Sequence, residues 1–139
     1  MTIAMNEITT TDYHELSAFE KILMALNAEG KFTASVLVSQ DGLPVASAPT
    51  PSPLDAETMA AMVAMVKDFI LQTQERLGLA EVDEVSMVVG DRSRLVCRYF
   101  SADHQPFVLA VFAPPNVSYR RATSHAVREI QTAWENSST

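Results

Sequence analysis

Between Ser52 and Leu77, apolar side chains recur at helical spacing: Met59, Met62, Val63, Val66, Phe69, Ile70 and Leu77. At about 100° per residue they fall on one broad arc, suited to covering a sheet. Ser52-Pro53-Leu54-Asp55 is a start signal, with a capping serine, a proline at the first helical position and an acid three residues on. The other side of this helix is apolar too. No charge falls between Thr58 and Val66, and Ala60, Ala61, Ala64, Met65 and Leu71 flank or oppose the main stripe. A helix apolar on more than one side needs a second covering surface, from its own chain or from a second copy.

The remaining elements follow in order. Thr11 or Asp12 is placed to cap a first helix with Glu15 close behind; Leu16, Phe19, Ile22, Leu23 and Leu26 form its apolar face, and Glu29-Gly30-Lys31 ends it. Phe32 to Ser39 reads as a strand, Asp41-Gly42 as the turn of a hairpin, and Pro44 to Ala48 as a short strand whose proline suits a sheet edge. Beyond the long helix, Gly78 is a stop signal. Glu84 to Val89, Arg94 to Phe100 and Pro106 to Ala113 are three strands, the first two joined by Gly90-Asp91-Arg92-Ser93. The last strand is apolar on both faces, with Phe107, Leu109 and Val111 on one and Val108, Ala110 and Phe112 on the other. It belongs mid-sheet, with layers above and below. Pro114-Pro115-Asn116 breaks the pattern before a helix from Val117 to Trp134, with Ala122, Ala126, Val127, Ile130, Ala133 and Trp134 inward. The expected fold class is α+β: a five-stranded, mostly antiparallel sheet with helices on both faces, ordered helix-strand-strand-helix-strand-strand-strand-helix. Residues 1–11 read as a flexible N-terminal segment, 12–135 as a single domain and 136–139 as a flexible tail.

Composition narrows the functional classes. The 139 residues suffice for one domain with a sizeable core, and the formal net charge of -7 disfavours nucleic acid and anionic membrane surfaces. No apolar run is long enough to span a membrane, and the N-terminus lacks a signal-peptide plan, so a cytoplasmic protein is expected. Cys97 is the single cysteine; it alternates with Leu95 and Tyr99 and reads as a small buried side chain. His14, His104 and His125 come with no ligand spacing, and read as solvent-facing or partner-facing. The glycines fit turns, and no phosphate-binding loop or nucleophile motif is present; no cofactor and no catalytic residue are expected. Arg120, Arg121 and Arg128 form a basic cluster on the last helix, either a solvated face or a contact for an acidic partner or an arginine donated to a phosphate in trans. Arg92, Arg94 and Arg98 offer the same two readings. Met59, Met62 and Met65 recur every third residue, as core filling or as an adaptable binding surface.

The segment from Ala34 to Ser47, with its Asp41-Gly42-Leu43-Pro44-Val45-Ala46-Ser47 hairpin, resembles the first hairpin of the Roadblock (dynein light-chain type) family. The element order extends the resemblance from about Asp12 to Trp134, while Asn116-Val117-Ser118-Tyr119 departs from the glycine many relatives carry there. The resemblance implies a profilin-like arrangement and a homodimer in which the third strands pair edge to edge and the long helices pack across the two-fold axis. Carried onto this chain, that interface takes Ala60, Ala61, Ala64, Met65, Leu71, Val85 and Met87. It further implies a non-catalytic regulator or scaffold for a small Ras-like GTPase, similar to the bacterial gliding-polarity regulators, with the chemistry left to the GTPase. Two other classes compete. A small-molecule sensor would need a pocket between helix and sheet, against which the large Phe69, Phe107, Phe112, Tyr99 and Trp134 count. An acidic dimeric secretion chaperone would usually place three strands, not two, between its first two helices.

Overall fold

A computed structural model describes residues 17–53 and 55–137. These form three helices and one five-stranded antiparallel sheet, in the expected α+β order. The elements are α1 (Ala18–Gly30), β1 (Ala34–Ser39), β2 (Pro44–Ala48), α2 (Ala56–Leu77), β3 (Glu84–Val88), β4 (Arg94–Ala102), β5 (Gln105–Ala113) and α3 (Arg120–Ser137). The sheet order is β2-β1-β5-β4-β3, so β2 and β3 are its edges and β5 its centre. Pro44 lies in the edge strand β2, where a missing backbone donor is tolerated.

β5 divides the core as its alternation demands. Phe107, Leu109 and Val111 join Leu23, Leu26, Ala126 and Ile130 beneath α1 and α3. Val108 and Ala110 join Val36, Val38, Cys97, Ala60 and Val63 beneath α2. Leu109 and Ile130 have no solvent exposure. Cys97 is buried and its thiol pKa is pushed up to about 11 by desolvation, which leaves it a packing residue.

Each of the three helices has a boundary that differs from the sequence expectation. Ser17 is extended and caps α1, its hydroxyl accepting from Glu20 N at 3.1 Å while Glu20 Oε1 accepts from Ser17 N at 3.0 Å. This reciprocal capping box starts the helix later than a cap at Thr11 or Asp12 would; those two residues lie outside the described set. α1 ends at Gly30, within the expected Glu29-Gly30-Lys31 stop, and it is Lys31 that takes the left-handed cap conformation, at φ 60°. Gly30 serves packing instead: a Cβ there would stand 2.2 Å from the Phe32 ring. α2 is capped by Asp55, which accepts from Thr58 N at 3.3 Å, so Ser52 and Pro53 belong to the connector. α3 begins at Arg120 and runs through Ser137, past the expected end at Trp134.

Candidate functional site: an uncovered helix face and an open sheet edge

The outward side of α2 carries a ridge of large apolar residues. Met62, Met65 and Phe69 stand at i, i+3 and i+7, and are 49%, 72% and 69% exposed. The expected inward stripe is therefore out of phase. Val63 and Ile70 are buried and Met59 and Val66 are half-buried, but Met62, Phe69 and Leu77 face outward. Half-buried Lys67 and Gln74 occupy the inner arc in their stead, and Gln74 Oε1 accepts from Val82 N at 2.6 Å.

The α2 residues assigned to a dimer interface separate into four groups. Ala60 is fully buried against the chain's own sheet, so it contributes nothing to a free surface. Ala64 is half-buried beneath the β1–β2 hairpin: Gly42, at φ 78°, comes so close that a Cβ on it would lie 3.2 Å from the Ala64 Cβ. Leu71, 51% exposed, lies on the flank opposite the methionine ridge. Ala61 and Met65 point away from the sheet and are exposed.

β3 adds to the same side of the molecule. Its register places Val85 opposite Cys97 and Met87 opposite Leu95, both of which pack under α2. Directly opposed residues share a sheet face, so Val85 and Met87 project toward the α2 side. Val85 is half-buried and Met87 is 48% exposed. Among the described residues, no strand of this chain pairs with the outer edge of β3. An open edge beside exposed apolar residues is what soluble chains ordinarily blunt or cover.

The opposite face of β3 is tied down by a polar network. Glu84 Oε2 accepts from the Tyr119 hydroxyl at 2.5 Å, and Glu84 Oε1 lies 3.8 Å from Arg98 Nε and 3.5 Å from Arg120 Nη1. Arg98 also donates to Thr123 Oγ1 at 2.7 Å. The Tyr119 ring lies 5.9 Å from the Arg94 guanidinium and 5.5 Å from that of Arg120. Arg98 thus belongs to the interior of the fold rather than to a solvated or partner-binding face. Of the helical cluster, Arg120 is committed to Glu84 and Tyr119, while Arg121 and Arg128 are exposed seven residues apart on one stripe of α3.

The Glu84 carboxylate raises the Tyr119 pKa above its ordinary value of 10.0, first through the hydrogen bond, then through burial and charge repulsion. A raised folded-state pKa means stabilisation that is complete below about pH 10 and lost as pH rises through the folded value. Urea unfolding should therefore show the wild-type protein weakening above about pH 10. Tyr119→Phe should start about 1–2 kcal/mol lower at about pH 8 and decline less steeply.

His125 bridges α1 and α3, its Nδ1 lying 3.2 Å from Glu29 and its Nε2 3.8 Å from Glu129. His104 sits in the β4–β5 turn at φ 66°; His14 lies outside the described residues. Among the described residues no three His, Cys, Asp or Glu side chains are grouped to hold a metal ion. No helix of the described residues is long and apolar enough to cross a membrane.

Solved structures with the same fold give this surface a setting. Myxococcus xanthus MglB superposes with a TM-score of 0.76 at 17% identity, covering 88% of this chain and 99% of that one. The gliding protein MglB of Thermus thermophilus gives 0.71 at 17% identity, covering 87% and 94%. A Roadblock/LC7 domain from Streptomyces avermitilis gives 0.70 at 20% identity, covering 88% and 100%. No family model matches the sequence, and no curated protein sequence does.

Proposed function

We propose that this chain, which has the Roadblock/LC7 fold, is a homodimeric, non-catalytic regulatory or scaffolding module for a small Ras-like GTPase. The observation that carries the reading is the Met62-Met65-Phe69 ridge standing on the same side of the sheet as Val85, Met87 and the unpaired edge of β3. A two-fold axis along that edge joins two five-stranded sheets into one and brings the two ridges together, which removes both liabilities at once. In this dimer the interface is made by Ala61, Met62, Met65 and Phe69 of α2 and by Val85 and Met87 of β3. Ala60 and Ala64 support it from beneath.

The GTPase assignment rests on the sequence resemblance to the gliding-polarity regulators together with the shared fold. A continuous two-subunit sheet offers a rigid platform on which the partner's switch loops are held in one geometry, the reacting groups staying on the GTPase. Arg121 and Arg128 are the candidate contacts on α3 for the acidic or phosphate-bearing side of such a partner.

A pull-down from cell extract tests it. Immobilised protein should retain a Ras-like GTPase in the presence of a non-hydrolysable GTP analogue and release it in GDP. Recovery of no GTPase, or equal recovery with both nucleotides, counts against the reading.

A further inference from the structure

We propose that the strip of sheet left bare beside α3, with Ser86 and Val88 of β3, Arg94 of β4 and Arg120 of α3, docks an acidic peptide segment of a partner protein. Period-two alternation puts Ser86 and Val88 on the same face as Glu84, which meets Tyr119 just ahead of α3. Val88 lies opposite Arg94 in the β3–β4 register, and directly opposed residues share a face. The helix does not cover them: Ser86 and Arg94 are exposed, and Val88 is 50% exposed. This is the sheet face opposite the methionine ridge.

Charge names the partner. The chain has 10 lysines and arginines against 17 acids, yet Arg92, Arg94, Arg98 and Arg120 gather at the β3–β4 hairpin and the start of α3. The carboxylates beside them are Glu84, shared between Arg98 and Arg120, and Asp91, whose Oδ1 accepts from Ser93 N at 2.9 Å. Among the described residues, Arg92 and Arg94 have no ion-pair partner. The Tyr119 ring, 5.9 Å from Arg94 and 5.5 Å from Arg120, sets the position of both guanidiniums, while the Arg120 side chain stays 77% exposed. Such planar forks match carboxylates with two parallel hydrogen bonds. At about 0.15 M salt the screening length is about 8 Å, so this local excess of cations outweighs the distant acids. A nucleic acid would run past the strip and meet the rest of a chain of net charge -7. Val88 adds an apolar contact, so the docked segment carries an apolar side chain among its acids.

The half-site is complete in one chain and rests neither on self-association nor on the GTPase reading. Where two copies pair along β3, three strand spacings set their β4 strands about 14 Å apart. The two Arg94 side chains then flank one trough floored by Ser86 and Val88 of both copies, and a single segment lying in it meets both.

The probe is a fluorescein-labelled oligoglutamate peptide with a central leucine, titrated into the full-length protein at about 0.15 M salt and followed by fluorescence anisotropy. Binding should saturate, and the same peptide with glutamines in place of glutamates should not bind. Arg94→Gln should weaken binding roughly tenfold or more, the loss of one charge-assisted pair, with the thermal melt unchanged. Val88→Glu, which sets a carboxylate opposite Arg94, should abolish it. Arg76→Gln, exposed in the last turn of α2, is the control and should leave the affinity as it is. Met65→Glu protein should keep Arg94-dependent binding, which separates this result from the fate of the dimer. Absence of saturable binding overturns the proposal. So do equal losses in Arg94→Gln and Arg76→Gln, or an oligouridylate that binds as tightly as the peptide.

Discussion

Met65→Glu is expected to convert a dimer into a folded monomer, with the mass from light scattering falling by half at micromolar concentration. Met65 is 72% exposed on the isolated chain, so the monomer loses little by the change. In the proposed dimer the ridge is buried, and the two-fold axis places the substitution in the interface twice. Burying an unpaired charge costs about 3–5 kcal/mol, equivalent to a roughly hundredfold to several-thousandfold weaker association. The protein's net charge of -7 adds repulsion between the copies. Ala64→Arg is a less clean disruptor, since the hairpin at Gly42 rests against that position and would be pushed off it. An unchanged mass for Met65→Glu would remove the ridge from the interface.

Arg98→Ala is expected to destabilise the folded chain by about 2–4 kcal/mol in urea unfolding. The side chains of Arg98 and Glu84 are 20% and 14% exposed, too sheltered for water to replace the lost partner fully and too open for the whole cost of a dry interior. The substitution also leaves the Thr123 and Ser124 hydroxyls without their donor. Arg98→Met combined with Glu84→Gln should recover much of the loss, because both charges then leave together. If the single and double variants unfolded alike, the pair would be a bystander and Thr123 and Ser124 the groups that matter.

Much of the architecture was legible because local signals agreed with one another. Asp41-Gly42 fixed a hairpin, Pro44 an edge and the two-faced Pro106 to Ala113 segment the sheet centre, and all three positions are as expected. The phase of α2 was not legible, for a physical reason. Periodicity locates the inner face of a helix only when the outer face is polar, and here the outer face carries Met62, Met65 and Phe69. Lys67 reads as outward and Phe69 as inward until the sheet is present to show the reverse. The same ambiguity placed Ala60 on a free flank, although it is the best-buried residue of the helix. Arg98 was opaque because its partners, Glu84, Thr123 and Ser124, are far from it in sequence and no local pattern announces them. Caps were ambiguous for a simpler cause: Ser52 and Asp55 both have capping chemistry, and only backbone geometry distinguishes them.

The central seam of the sheet joins β1 to β5, from Ala34 opposite Phe112 to Ser39 opposite Phe107. Between those strands the chain runs through β2, α2, β3 and β4, so the sheet consists of two locally knitted pieces zipped together late. As the polypeptide leaves the ribosome, the first hairpin must wait for the meander before its inner margin is sealed. Until then both pieces carry bare strand margins, which makes nascent and partly unfolded chains the form in which this protein is most prone to aggregate.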